Sequence, residues 1–383
     1  MVKFNKTLWI TIVVLFVVLF FITIAFLKPF SDKSKIRIGS VLILSGEYKS
    51  YGEYFQQGAL LAAEEMNSSQ KQQIELTILD SEGSKEKALE KLKALKEQKN
   101  IHFVADVMGT AMMRHVIPFI NENKILVLSG VNTGPELSGE GGSFFFRIIP
   151  SDGIASQQLS KWAIESGFKK GAILYATDDW GQGLRKALDK SYRDLGGEII
   201  DSRDVEVNQT IFQPIVSLYK ETKPNVVFLV LYPKTAALFL REVKKQGLQT
   251  QIMGTDNFTA SELPDIARDA VDGVNFIIPQ PAGEPTPQQK NFLELYNLKY
   301  GIGKKPHIFT TMAYDCVKLL AKIYQETQGD PERAAKTLEM IQYEGASGHI
   351  AFDKNHDVVV KDFSRKVYKY DKVSKKASIL DAK

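Results

Sequence analysis

Three kinds of hydrophobic pattern follow one another along this 383-residue chain. The first is "LWITIVVLFVVLFFITIAFL", Leu8–Leu27, twenty residues without a charge. As a helix rising about 1.5 Å per residue it would reach about 30 Å, the thickness of a bilayer core. Secretory signal regions usually hold about 7–15 apolar residues, so an uncleaved signal anchor is expected, with a cleaved signal peptide as the alternative. Lys3 and Lys6 precede the segment, and Lys28, Lys33, Lys35 and Arg37 follow it. Read literally, these flanks favour a cytoplasmic C-terminal part. Long domains translocate largely regardless of flanking charge, so the flanks leave orientation open.

The second pattern begins past a polar linker, Ser31–Lys35. Short apolar runs alternate with segments of helical period. "IRIGSVLIL" predicts a strand, and Tyr51–Asn67 a helix with Phe55, Ala59, Ala62 and Met66 on one face. "IELTILD" is the next strand, followed by a helix in "SKEKALEKLKALKEQ" with Ala88, Leu92 and Leu95 inward. "IHFVADVM" and "KILVLSG" flank a helix beginning near Ala111. A second series starts past "FFFRIIPSDG" with "KGAILYAT", a helix Gly183–Leu195, "GEIIDSRDV", "PNVVFLVLY", a helix Thr235–Gln246, "TQIMGTDNF" and "GVNFIIPQP". Gly196-Gly197 and Gly247 stand where helices stop. Helices are expected again at Gln288–Tyr300 and Phe309–Gln325. The third pattern, "GHIAFDKNHDVVVKDFSRKVYKY", reads as paired strands. Strand–helix alternation implies parallel sheets covered on both faces, an α/β fold. The expected division is an anchor and linker (1–35), a first lobe (36–150 plus 282–350) and a second lobe (151–281 plus 351–378).

Composition narrows the function classes. Charged residues at 25% and hydrophobic ones at 44% are an ordinary globular balance. The formal net charge is +4, and no arginine-rich stripe with interleaved aromatics occurs, which argues against a nucleic-acid partner. The single cysteine, Cys316, rules out an intrachain disulfide, a thiolate metal cluster and lipoprotein processing behind the apolar segment; its helical context predicts a buried thiol. No H-E-x-x-H, G-x-S-x-G or Walker spacing is present. "GQGLRK" lacks the third glycine of a dinucleotide fingerprint. His349 and His356 read as exposed turn histidines, and the adjacent Asp178 and Asp179 as acids at a helix start. Nothing asks for catalysis, a cofactor or a metal.

The strand ends carry the remaining chemistry, because open α/β sheets bind ligands there. The strand ending at Ser45-Gly46 is followed by Tyr48 and Tyr51, which offer hydroxyls, aromatic faces and free amides. Gly109-Thr110 joins a strand to a helix whose N-terminus favours a carboxylate, and Thr110 adds a hydroxyl. Val131 and Thr133 follow the next strand with a carbonyl and a hydroxyl. The second series supplies Asp256, Trp180 and Tyr232. Each has a plainer reading by itself, as a helix cap, a turn cap or core. Together they suit a zwitterionic α-amino acid, with anion donors on one lobe and a carboxylate on the other.

"IRIGSVLILSGEYKSYGEYFQQGALLAAEEMN", "NKILVLSGVNTGPEL", "DDWGQGLRKAL" and "VKKQGLQTQIMGTD" resemble the type I periplasmic binding proteins of the leucine/isoleucine/valine-binding branch. The resemblance spans roughly Lys35–Lys375. It implies two Rossmann-like lobes joined by three hinge strands that close on a ligand. By the same resemblance, carboxylate-binding hydroxyls fall on Thr110 and Thr133, the ammonium's carbonyl acceptor on Val131 and its acid on Asp256. Aromatic walls fall on Tyr51, Trp180 and Tyr232, and the Ser45 turn lies beside them. Thr110 stands where serine is common, Asp256 where a longer glutamate also occurs, and Glu47-Tyr48-Lys49 where proline and small residues are frequent. The implied partners are a small-molecule ligand and either the permease of an ABC importer or a sensor protein. With the anchor, this places the lobes on the extracytoplasmic side of the cytoplasmic membrane.

Overall fold

The computed structural model describes residues 35–68, 73–279, 284–359 and 363–382. The expected anchor, Leu8–Leu27, lies outside the described residues; among them no helix is long and apolar enough to cross a membrane. The chain runs β1 (Lys35–Leu42), α1 (Lys49–Ser68), β2 (Gln73–Asp80), α2 (Lys85–Lys99), β3 (Phe103–Val107), α3 (Thr110–Glu122), β4 (Leu126–Ser129), α4 (Leu137–Glu140) and β5 (Phe145–Arg147). It then forms α5 (Asp152–Glu165), β6 (Lys170–Ala176), α6 (Asp179–Asp194), β7 (Glu198–Val205), α7 (Gln213–Thr222), β8 (Val226–Val230), α8 (Pro233–Gln246) and β9 (Gln251–Gly254). A 3-10 turn (Asp256–Thr259), α9 (Glu262–Ala267) and β10 (Asn275–Pro279) follow. The remaining elements are α10 (Pro287–Tyr300), α11 (Ile308–Thr327), α12 (Pro331–Leu338), β11 (Tyr343–Gly345), β12 (Gly348–Ile350), β13 (Phe363–Asp371) and β14 (Lys376–Asp381).

Two lobes of α/β type result, each on its own sheet. The first sheet is parallel, in the order β2-β1-β3-β4-β5. The second runs β14-β13-β10-β9-β8-β6-β7; its strands are parallel except β13 and β14, which pair antiparallel along one edge. The chain leaves the first lobe after β5, returns to it after β10 with α10, α11 and α12, and leaves again after β12, which pairs with β11 in a separate two-stranded sheet. In the C-terminal segment the expected paired strands are present as β12 with β11 and β13 with β14, joined by the isolated bridge Phe352–Val358, and β13 also pairs with the distant β10.

Burial follows from strands covered on both sides. Every residue of β3, β4 and β8 is buried. Along β8, Val227 and Leu229 feed one core while Val226, Phe228 and Val230 feed the core on the opposite face, the two-residue period of a strand. In the first lobe α1 lies against α11, close enough that a Cβ at Gly58 would stand 1.9 Å from the Thr310 carbonyl oxygen. Glycine is required there. Cys316 is buried in α11, as its pattern predicts, and burial pushes its thiol well above the usual range.

Candidate ligand cleft

The carboxyl ends of both sheets face a cavity between the lobes, about 760 Å³ with its mouth included. On the first lobe its floor is the N-terminus of α3. Gly109, with φ +103°, offers no side-chain cap, and the first bond of the helix is Met113 N–H to the Gly109 carbonyl at 2.8 Å. The amides of Thr110, Ala111 and Met112 therefore have no backbone partner among the described residues, and all three residues line the cavity. Unpaired amides at a helix start form an anion site.

Beside it, the loop after β4 is held from β3. Asp106 is buried and adopts φ +75°. Its Oδ2 accepts from Ser129 Oγ (2.9 Å), Gly130 N–H (2.8 Å) and Val131 N–H (3.1 Å), and its Oδ1 accepts from Asn132 Nδ2 (2.7 Å). Burial still pushes this carboxyl up to about 7. Asp106 occupies the loop's amides and leaves its other side to the cavity, where Val131 and Thr133 stand.

The second lobe presents acids. Asp256, at the end of β9, lines the cavity, and burial pushes it up to about 6. Asp152 opens α5 behind Thr133, its amide donating to the Thr133 carbonyl at 2.8 Å. Its Oδ2 is buried without a hydrogen-bond partner among the described residues. Burial first, then the charge of Asp256, pushes Asp152 up to about 8, against Thr133, the charge of Arg147 and Trp180, which oppose the shift. Among the described residues no lysine or arginine lines the cavity. A buried carboxyl at Asp256, with Asp178 and Asp179 beside it on the wall, demands either protons or a positively charged guest.

Aromatic rings close the far end. Tyr232 packs against Tyr48 (centroids 4.5 Å apart), Trp180 (4.9 Å) and Tyr51 (6.2 Å), and Tyr51 against Phe309 (5.4 Å). The Tyr232 hydroxyl donates to Asp178 Oδ2 at 2.6 Å, while Asp178 Oδ1 caps α6 by accepting from Gly181 N–H at 2.8 Å. Tyr51 donates across the lobes to Asn257 Oδ1 at 3.4 Å. At the mouth Lys234 pairs with Glu47 (3.4 Å) and Arg114 with Asp179 (3.5 Å), each pair joining the two lobes.

Tyr51, Thr110, Val131, Thr133, Trp180, Tyr232 and Asp256 thus meet in one cavity. Ser45 is the exception and is absent from its walls. Its hydroxyl instead turns to Asp80 at the end of the neighbouring β2, which also accepts from Leu44 N–H (2.9 Å) and Glu82 N–H (2.8 Å). Gly46, at φ +77°, turns the chain outward there. Tyr48, named at the same strand end, joins the walls; Asn257 and Phe309 line them without having been singled out, and Asp152 stands behind Thr133. For Asp152 the available signal was Ser151-Asp152 at the start of α5, which reads as an ordinary helix cap, and Ser151 is indeed the N-cap. His349 is exposed as expected, whereas His356 is half-buried, stacked on Phe146 at 4.0 Å.

Residues 35–365 match the family described as periplasmic binding protein. The chain is 25% identical over 343 residues to the leucine-, isoleucine-, valine-, threonine- and alanine-binding protein of Pseudomonas aeruginosa, covering 88% of this chain and 90% of that one. A Leu/Ile/Val-binding protein homolog 1 of Brucella abortus is likewise 25% identical, with 88% and 91% covered. Among solved structures, the isoleucine complex of a branched-chain amino acid transporter substrate-binding protein from Streptococcus pneumoniae superposes with a TM-score of 0.78 at 22% identity, covering 91% of this chain and all of that one. A benzoate complex of a solute-binding protein from R. palustris gives 0.80 at 17% identity, covering 91% and 96%. Match, lobes and cleft agree: the chain belongs to the periplasmic binding protein family, with the type I fold.

Proposed function

We propose that this protein captures an α-amino acid between its lobes and delivers it to the permease of an ABC importer. In this reading Leu8–Leu27 tethers it to the cytoplasmic membrane, with the lobes on the extracytoplasmic side. One observation carries the choice of ligand. The unpaired amides of α3 and the hydroxyls of Thr110 and Thr133 share the cavity with the buried carboxyl of Asp256, and Asp152 lies behind Thr133. An ammonium and a carboxylate on one carbon satisfy both ends, and the rings of Tyr48, Tyr51, Trp180 and Tyr232 would enclose the side chain. The amino-acid names of the relatives support the same assignment. A benzoate-type acid would satisfy the helix N-terminus and the rings but leave Asp256 without a positive partner.

A thermal-shift screen of the full chain in detergent, against single amino acids and benzoate, tests this. Ligand at about 100 times its dissociation constant stabilises by about 2.7 kcal/mol. The expected result is a shift with amino acids and none with benzoate. A shift with benzoate alone, or none at all, overturns the amino-acid reading. Protease digestion of spheroplasts tests orientation: the lobes are expected to be cleaved from outside, and full protection refutes the placement.

A further inference from the structure

Arg147, the last residue of β5, carries the largest fully buried side chain among the described residues, at the point where the chain first leaves the first lobe. It lines no part of the cleft. A guanidinium has five N–H donors in a rigid fork, and burial obliges them to find acceptors. Nε donates to the carboxylate of Asp357. Nη1 donates to the carbonyls of Asn132 (3.1 Å) and Gly134 (2.8 Å), and Nη2 to Ser138 Oγ (2.6 Å). Asp357 lies in the third connection, between β12 and β13. Backbone bonds reinforce that contact, from Arg147 N–H to the His356 carbonyl (3.1 Å) and from Val358 N–H to the Arg147 carbonyl (3.0 Å).

The loop's hydrogen bonds show what this contact does. Asp106 takes the amides of Gly130 and Val131, and Ser129 Oγ takes that of Asn132 at 3.1 Å. Arg147 takes the carbonyls of Asn132 and Gly134, and Asp152 N–H takes that of Thr133. The carbonyl of Val131 is left over, without a partner among the described residues, on a residue that lines the cleft. We propose that Arg147 is a positioning residue: its single guanidinium aims the Val131–Thr133 loop at the ligand and ties that aim to the connection between the lobes. The inference rests on the reading that this loop meets the ligand's ammonium and carboxylate. Lysine cannot substitute, because one ammonium on a flexible stem does not span a carboxylate, two carbonyls and a hydroxyl in fixed directions.

The test uses the full chain with Arg147→Lys and the milder Asp357→Asn, which keeps shape and leaves the other bonds of Arg147 in place. Amide hydrogen exchange is followed in peptides covering 129–137, with 172–176 and 226–230 of the second lobe as controls. L-leucine affinity is measured by calorimetry. In Arg147→Lys, exchange in 129–137 is expected to accelerate while the controls do not change. Affinity is expected to fall about tenfold or more, the scale of losing a charge-assisted hydrogen bond. Asp357→Asn should shift both readouts in the same direction by less, and it decides the matter if Arg147→Lys does not fold. Acceleration across both lobes, or local acceleration with unchanged affinity, would show a structural role only and overturn the proposal. A wild-type chain that binds no amino acid removes the functional reading instead. In that case unchanged exchange in 129–137 still overturns the ordering role of Arg147, and accelerated exchange upholds it.

Discussion

Replacing Asp256 with asparagine keeps the shape of the acid and removes its charge, so it tests the cleft's electrostatics with little change in packing. Removing one member of a buried charge pair costs about 3–5 kcal/mol. At about 1.4 kcal/mol per tenfold, that is a loss of roughly two to three and a half powers of ten in amino-acid affinity. Asp152 remains nearby, so the lower end is expected. Without ligand the effect on stability has the opposite sign. The carboxyls of Asp256 and Asp152 are pushed up to about 6 and about 8. The folded state therefore holds protons that the unfolded chain releases near its ordinary carboxyl pKa of about 3.9. Stability from these groups is fully present below that value and is lost as pH rises through about 6 and about 8. Asp256→Asn should thus match the wild type near pH 4 and melt higher than it near pH 8. Titration calorimetry at pH 8 and ligand-free melting across pH 4–8 are the assays. Wild-type affinity in the variant, or a lower melting temperature at pH 8, refutes the two-carboxyl picture.

Ligand binding by the wild type at pH 7 should release protons, since an ammonium favours the ionised carboxyls, and affinity should rise from pH 5 to pH 8. Identical heats in phosphate and Tris, whose ionisation enthalpies differ, would contradict this. Thr110→Val keeps the free amides of α3 and loses one donor, so affinity should fall by about 1 kcal/mol, roughly fivefold, at unchanged melting temperature; a loss as large as that for Asp256→Asn would move the anion site from the amides to the hydroxyl. Gly109→Ala places a Cβ 2.1 Å from Met112 Cε at a φ of +103°. Strain of that kind costs about 1–3 kcal/mol, so both melting temperature and affinity should drop, and a variant as stable as the wild type would show that α3 starts differently. Tyr48→Ala removes a ring pair worth about 0.5–1.5 kcal/mol from the far end of the cleft. Stopped-flow tryptophan fluorescence should show faster release with little change in association, and an unchanged release rate would exclude Tyr48 from the closed cleft.

Local patterns made most of the architecture readable. Phe55, Ala59, Ala62 and Met66 mark one face of α1; the first three are buried and Met66 is partly so. Ala88, Leu92 and Leu95 do the same for α2, which ends at Asn100 in the left-handed region. The strand ends were readable too, and with them Thr110, Val131, Thr133 and Asp256, because in a parallel α/β sheet chain order decides which end carries the loops. Ser45 shows where this stops. Its position at a strand end is visible in the sequence, but the direction of its hydroxyl depends on Asp80 in a strand that pairs through space.

What the amino-acid order alone determined is the alternation of strand and helix, the two series and the family's motifs at their strand ends, since these rest on residues a few positions apart. Tertiary structure decided the rest. It brought Asp152 to Thr133 and to the field of Asp256, more than a hundred positions away, and set Arg147 against Asp357 across 210 positions. Charges and hydrogen bonds act over a few ångströms of space whatever the separation along the chain, so a carboxyl at a helix start enters the field of another carboxyl only once the chain has folded.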